Sequence, residues 1–406
     1  MVLRSEPRHS ASRKPLFARV GPAPHAASMR QPSLPNGSSS TQREQETEEA
    51  DRSAQTNNRP PDIQQTTDNR QKEPPMPKTL PGWIATILFL ISTPVSALNV
   101  VLTNDDGFET ENIQALYRAL VAAGHDVILS APFLGQSGTG GAVGFLRPIF
   151  PTSEASEGGL LPAGSFGIGE TTIAPQQFYV DGSPTDALLY GTDVLAPRIF
   201  GGRPDLVISG PNEGNNLGII TPHSGTLGAA VAALNKGIPA IAVSADRSDR
   251  TPEEAELIAA LTLEIVEALD GHHGVRLPPG TGLNVNIPDV DPATSTPDDF
   301  DFAFTRIGIA TNIGLQFYEN LGDSPIARAF GIPANIGLPG VSVEIPYTLA
   351  GHPEDDSPRS EGNALGGTTV TVSPIQGTYA ADFVKRLRVR RGIRSLFHRH
   401  HRHDRD

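Results

Sequence analysis

The chain has 406 residues with 41 Gly and 37 Pro, and only 37% is hydrophobic, a balance that suits one globular core flanked by weakly structured segments. It contains no cysteine, which excludes disulfides, cysteine-ligated zinc and a cysteine nucleophile. The net charge is −13; Lys385–Asp406 alone carries +7, so the rest carries −20, and so acidic a body disfavours nucleic-acid polymers and anionic membranes as partners.

Residues 1–75 are rich in Ser, Pro, Gln, Asn, Arg and Glu with no lasting apolar period, and are expected to be disordered. Residues 76–97 read as a secretory signal. Met76-Pro-Lys78 is a short basic start, Trp83–Ile91 an apolar run, and Val95-Ser-Ala97 a small-residue end. The run falls short of the roughly 20 apolar residues of a membrane span, so no stable span is expected. On this reading Met76 is the true start, residues 1–75 are an over-extended beginning, and the protein is secreted. A buried strand and a single uncleaved anchor are the alternatives, and without a working signal the protein is cytoplasmic. N-terminal sequencing of the mature protein decides; a chain beginning near Met1 overturns the signal.

The core is expected over 98–384. Leu98–Leu102 reads as a buried strand. Glu109–Gly124 follows as a helix with Ile113, Leu116, Tyr117, Leu120 and Val121 on one face and Gly124 as its stop. Further strands are Val127–Ser130, Asp205–Ser209, Ala240–Ser244 and Leu283–Ile287. Helices are Gly225–Asn235 and Pro252–Leu269, the latter opened by the capping box Thr251-Pro-Glu-Glu254. Leu146–Ala174 reads as an elaborated loop. Residues 300–384, with β-like pieces at Val341–Ile345 and Thr368–Val372, read as an appended β-rich extension. Strands alternating with helices imply a mostly parallel sheet covered on both faces, with ligands at the strands' carboxyl ends. The tail 385–406, with His398, His400, His401 and His403 among its arginines, reads as a disordered, solvated basic segment, with metal or polyanion binding as the alternative. Deleting it is expected to leave any activity of the core unchanged.

Four clusters carry candidate chemistry. Thr103-Asn-Asp-Asp-Gly107 puts two carboxylates at a strand end, where they repel without a cation; the alternative is an Asx turn. Gln136-Ser-Gly-Thr-Gly-Gly141 follows the second strand, so it should lie beside the first cluster. Its peptides can cradle phosphate and its Ser can ligate a hard metal, or it is a plain loop. Ser209-Gly-Pro-Asn-Glu-Gly214, with Asn215, Asn216 and Gly218, offers amides to a metal or a phosphoryl group, or is a turn. His223-Ser-Gly-Thr226 opens a helix, where N–H groups bind anions; ordinary capping explains it equally. His223 reads as a surface histidine or a general acid. Asp181-Gly-Ser-Pro-Thr-Asp186 is a turn feeding a helix.

Taken in order, Asn104–Gly107, Ser137-Gly138, Gly182–Asp186, Ser209–Gly218 and Ser224–Thr226 resemble the SurE family of metal-dependent survival phosphatases. The resemblance continues through Gly237–Ala240 and Leu283–Pro288, with an echo at Thr369–Gln376. It implies a Rossmann-like, three-layer α/β/α fold with a mostly parallel sheet, a β-rich oligomerisation extension, and a homodimer or higher homo-oligomer. It implies hydrolysis of nucleoside 5′- or 3′-monophosphates or other small phosphomonoesters with Mg²⁺ or Mn²⁺. The family's ligands fall here on Asp105, Asp106, Ser137 and Asn212, with Asp105, Asp106 and Asn212 catalytic. Asn104, Gly138, Asn216, Ser224, Gly225 and Thr226 are expected around the phosphate. Two departures stand out: Gly135-Gln136 where bacterial members have Asn-Arg, and Pro211 where an Ile is common. The missing Arg bears on substrate preference. A haloacid-dehalogenase-type mechanism ranks low, since it needs two Asp one residue apart. A metal-dependent nucleotide or anion binder without turnover is the rival from another class.

Overall fold

The computed structural model describes residues 97–246, 251–271, 274–309, 314–329, 331–344, 355, 357–381 and 383–394. The expectations for 1–75, for nearly all of the signal-like segment and for the histidines of the tail lie outside these residues.

Strand β1 (Asn99–Thr103) is buried from Val100 onward. Helix α1 (Glu111–Ala122) buries Ile113, Leu116, Tyr117 and Leu120 against it. Val121, expected on that face, is 45% exposed, because one step past Leu120 turns it about 100° toward solvent. Gly124, at φ +91°, ends the helix. Strand β2 (Asp126–Pro132) pairs parallel with β1. The segment expected to be loop throughout carries a short strand, β3 (Ile168–Glu170), antiparallel to β4 (Gln177–Val180). Helix α2 (Pro184–Tyr190) starts at a capping box formed by Ser183 and Asp186. A π-turn over Gly191–Leu195 leads into α3 (Ala196–Ile199).

Strand β5 (Leu206–Glu213) pairs parallel with the other side of β1. It feeds α4 (Gly225–Asn235), β6 (Ala240–Ala245), α5 (Pro252–Leu269) and β7 (Thr281–Ile287). Both helices have the bounds read from sequence. For α5 the reason is the reciprocal cap: Thr251 Oγ1 accepts from the Glu254 N–H at 3.2 Å, and Glu254 Oε2 accepts from the Thr251 N–H at 2.9 Å. Thr251→Ala is expected to cost about 1 kcal/mol, read as a small drop in thermal midpoint.

The C-terminal third departs from expectation. It comprises β8 (Asp301–Phe304), β9 (Gly314–Tyr318), α6 (Pro325–Ala329), β10 (Gly340–Glu344), α7 (Glu361–Ala364), β11 (Thr369–Gln376) and α8 (Phe383–Gly392). Helix α8 corrects the expectation of a disordered tail from 385, since Lys385 to Gly392 are helical. Among the described residues only β9 and β10 form a separate two-stranded sheet. Strand β11 pairs antiparallel with β7, and β8 pairs parallel with β11, so both belong to the main sheet. The buried part of β11 is mixed, with Val370 and Ile375 apolar and two further positions polar. Thr371 and Ser373 are fully buried, and Ser373 Oγ meets Thr305 Oγ1 at 2.8 Å. That polarity hides a core strand from a hydropathy reading.

The main sheet runs β3-β4-β2-β1-β5-β6-β7-β11-β8. Helices α1 and α5 share one apolar core with one face, and α2 and α4 share a second core with the other. The layers are therefore α/β/α. The chain leaves β1 toward β2 and leaves β5 toward β6, in opposite directions across the sheet. The carboxyl ends of β1 and β5 thus flank the topological switch point, where open sheets of this kind leave a crevice.

Candidate active site

The Asp105-Asp106 pair sits on that crevice, directly after β1. The turn is closed by Asn104: its Nδ2 donates to Gly107 O at 2.8 Å and to Thr110 Oγ1 at 3.2 Å, and its Oδ1 accepts from the Gly107 N–H at 3.2 Å. Gly107 is at φ +106°, a conformation glycine adopts freely. Asn104 is fully buried and engaged in the turn itself.

Asp105 faces the amino end of α4. Thr226 Oγ1 donates to Asp105 Oδ1 at 2.6 Å, and the peptide N–H groups of Gly225 and Thr226 also bond the carboxylate. The anion at this helix N-terminus is thus the chain's own Asp105. Ser224 is the N-cap, its Oγ accepting from the Leu227 N–H at 3.2 Å. Asp106 faces β5, where its Oδ2 accepts from the Glu213 N–H at 3.0 Å. Burial pushes the Asp105 carboxyl above its ordinary range, opposed by the Thr226 hydrogen bond. Asp106 is pushed well above, first by burial, then by the charge of Asp105, with Glu213 and Glu157 adding to it.

The Gly-rich loop after β2 lies beside the pair, as expected. The Gln136 N–H donates to Asp105 O at 2.7 Å, and the Gly140 N–H donates to His223 O at 3.0 Å, so the loop spans from β1 to α4. Within it Ser137 and Gly138 are exposed. Gly138, at φ +82°, has open space where a Cβ would stand. Asn212 follows a register shift between β5 and β6 after Ser209 and directly precedes Glu213, whose N–H meets Asp106. Gly210 makes this possible: it is at φ +118°, and a Cβ there would stand 2.1 Å from Val243 O. The Asn212 amide nitrogen donates to Gly214 O, which leaves Oδ1 as the atom to face a ligand. Asn216 is buried behind the crevice, its Nδ2 donating to Thr226 Oγ1 at 3.3 Å and to Ser244 Oγ at 2.9 Å. His223 is exposed.

Asp105, Asp106, the Gly-rich loop, the end of β5 and the start of α4 therefore meet at one crevice. The residue types suit a hard divalent cation: two carboxylates left mutually repelling in a buried place, with the hydroxyl of Ser137 and the amide of Asn212 on the adjoining loop and strand end. Among the described residues no three His, Cys, Asp or Glu cluster as a metal group, so the neutral oxygens are part of any such site.

Sequence reasoning missed Glu213, whose peptide holds Asp106, and Glu157. Glu157 Oε1 accepts from the Gly135 N–H at 2.9 Å, tying the 146–174 segment to the rim. It also missed the roles of Asn284, Asn286 and Glu361 behind the site. Two asparagines two apart in an otherwise apolar strand share a face, and that was the available signal.

Fold and site together define a doubly wound α/β protein with an oxygen-lined crevice at its switch point. The chain belongs to the SurE family: the model of survival protein SurE matches residues 100–312. An acid phosphatase of Yarrowia lipolytica is 37% identical over 221 residues, 50% of this chain and 61% of that protein. The 5′-nucleotidase SurE 1 of Thermus thermophilus is 38% identical over 192 residues, 47% of this chain and 66% of that protein. The chain thus spans somewhat less than two thirds of either relative. The 5′-nucleotidase SurE of Pelotomaculum thermopropionicum is 30% identical over 285 residues, 68% of this chain and 89% of that protein. The solved SurE protein of Aquifex aeolicus superposes with a TM-score of 0.51 at 26% identity, covering 73% of this chain and 99% of that one. The family is metal-dependent in general.

Proposed function

We propose that the protein is a metal-dependent hydrolase of small phosphomonoesters, with nucleoside monophosphates as the leading substrate class. The observation that carries this is the buried Asp105-Asp106 pair at the switch point, flanked by the Gly-rich loop and Asn212. Relatives named acid phosphatase and 5′-nucleotidase support the same class of reaction. Those names also weigh against a binder without turnover.

Asp105, Asp106, Ser137 and Asn212 would hold Mg²⁺ or Mn²⁺. When bound, the cation supplies positive charge against a phosphoryl oxygen and lowers the pKa of a coordinated water. The chain's own groups do the rest. Thr226 and the α4 peptides keep Asp105 an acceptor, and the Glu213 N–H does so for Asp106. The exposed peptides around Gly138 receive phosphate oxygens, since the N–H groups of Gly225 and Thr226 already face Asp105.

The test is a phosphate-release screen of nucleotides and simple phosphomonoesters with Mg²⁺, Mn²⁺ or Co²⁺. Activity is expected with a divalent ion, lost on chelation and restored on adding it back. Nucleotide binding with no phosphate released would overturn the reading. A homo-oligomer is proposed from the family resemblance; sedimentation of the intact protein checks it. Among the described residues no helix is long and apolar enough to cross a membrane.

A further inference from the structure

Glu361 opens α7, far from β1 in sequence, and is fully buried. A carboxylate only accepts, and every neighbour of this one donates. The Gly218 N–H donates to Oε1 at 2.9 Å, and Asn284 Nδ2 and Ser373 Oγ donate to Oε2 at 3.0 and 2.9 Å. No cation is among these partners. A carboxylate kept in such a place needs a reason beyond packing.

The hydrogen bonds lead forward from it. Asn284 Nδ2 also donates to Asn216 O at 3.1 Å, so both acceptors demand the same orientation of its amide. The consequence is an Asn284 Oδ1 buried with no hydrogen-bond partner among the described residues. Asn286 grips the same peptide unit, its Oδ1 accepting from the Asn216 N–H at 2.9 Å and its Nδ2 donating to Asn216 O at 3.2 Å. Asn216 Nδ2 then donates to Thr226 Oγ1 at 3.3 Å. Thr226 has one hydroxyl proton, and it goes to Asp105 Oδ1 at 2.6 Å. With Asn216 donating to it, Thr226 donates forward, and Asp105 is held as an acceptor in one orientation.

We infer that Glu361 is a positioning residue for the candidate metal site, acting through Asn284, Asn216 and Thr226 to fix the Asp105 carboxylate. The inference rests on the function proposed above. It makes the C-terminal segment part of the active site although it touches no ligand. The negative charge matters because, together with Asn216 O, it holds Asn284 facing one way. An amide at 361 presents N–H to at least one donor and weakens one of the two acceptors that keep Asn284 Oδ1 unpaired.

The test uses the full chain, p-nitrophenyl phosphate and Mn²⁺, measuring kcat, KM, the Mn²⁺ dissociation constant and the thermal midpoint. Glu361→Gln is expected to weaken Mn²⁺ binding and lower kcat, each about tenfold or more, with KM within about twofold. Ser373→Ala removes the rear hydrogen bond but keeps those to Gly218 and Asn284. It is expected to lower the midpoint while leaving kcat and Mn²⁺ affinity within about twofold. In Glu361→Gln/Thr226→Val the loss should be no greater than in Thr226→Val alone, because both act on one chain of bonds. Wild-type kcat and Mn²⁺ affinity in Glu361→Gln would overturn the inference. So would Ser373→Ala matching its losses, or full additivity in the double variant. If Glu361→Gln does not fold, Glu361→Asp, which withdraws the charge by one methylene, is read in the same way. A wild-type protein without Mn²⁺-dependent turnover sinks the proposed function and this inference together, an outcome distinct from the other three.

Discussion

Asp105→Asn is expected to reduce Mn²⁺-dependent turnover of p-nitrophenyl phosphate by ~10³-fold or more while raising the thermal midpoint of the metal-free protein. The two effects share one cause. Asp105 is 3% exposed and Asp106 stands beside it, so the fold holds two like charges where water cannot screen them. An amide keeps the shape and still accepts from Thr226, so the architecture should survive. Removing the charge relieves the repulsion and withdraws a ligand whose field is worth several kcal/mol to the transition state, at about 1.4 kcal/mol per tenfold in rate. Adding Mn²⁺ should reverse the order of stability. The cation binds the native wild type and lifts its midpoint by mass action, and lifts the variant far less. The measurements are initial rates and melting curves with and without Mn²⁺. Full activity in the variant, or a lowered metal-free midpoint, would argue against a cation site at this pair.

Gly225→Ala is expected to lower kcat about a hundredfold. Alanine is normally favoured over glycine inside a helix by about 1 kcal/mol. Here a Cβ would stand 2.8 Å from Asp105 Cβ, 2.9 Å from Asp105 Oδ2 and 3.0 Å from Pro184 Cγ. The added atom is therefore wedged between Asp105 and α2, and either Asp105 or α4 must shift. A displacement near 1 Å at a reacting centre costs on the order of 10²-fold. The sign of the stability change is diagnostic: a crowded site lowers the midpoint, and an open one raises it through helix propensity. Unchanged rate with a raised midpoint would mean that α4 does not press on Asp105.

Much of this architecture is legible in the sequence where local chemistry and tertiary packing agree. The bounds of α5 follow from Thr251 and Glu254, and β1 and β5 follow from short apolar runs ending in polar loops. The meeting of the Asp105-Asp106 turn, the Gly-rich loop after β2 and the end of β5 follows from their places after strands whose carboxyl ends lie side by side. What sequence does not show is which polar group faces which. Asn104, Asn216 and Thr226 read as groups for a phosphate, and all three have their side chains engaged by the protein itself. The start of α4 reads as an anion site, and its anion is Asp105. Strand β11 is legible as β-like at Thr368–Val372 but not as a core strand, because Thr371 and Ser373 are buried beside Val370 and Ile375. Glu361 is invisible as a single acidic residue in a polar stretch; only its burial among donors from three other segments gives it meaning.

The insertion of β11 between β7 and β8 sets an order of events during synthesis. Strand β7 ends at Ile287 and its partner begins at Thr369, so about eighty residues of chain separate an edge from the strand that covers it. At ~5–20 residues per second, the ribosome leaves that edge open for roughly 4–16 s. Unpaired edges invite pairing with other chains, and this one ends in the buried asparagines that later grip Asn216. The residues of the Asp105-Asp106 crevice are therefore synthesised before the buttress behind them. A chain stalled or cut between Ile287 and Glu361 would carry the acidic pair and the Gly-rich loop, yet lack both the cover for β7 and Glu361.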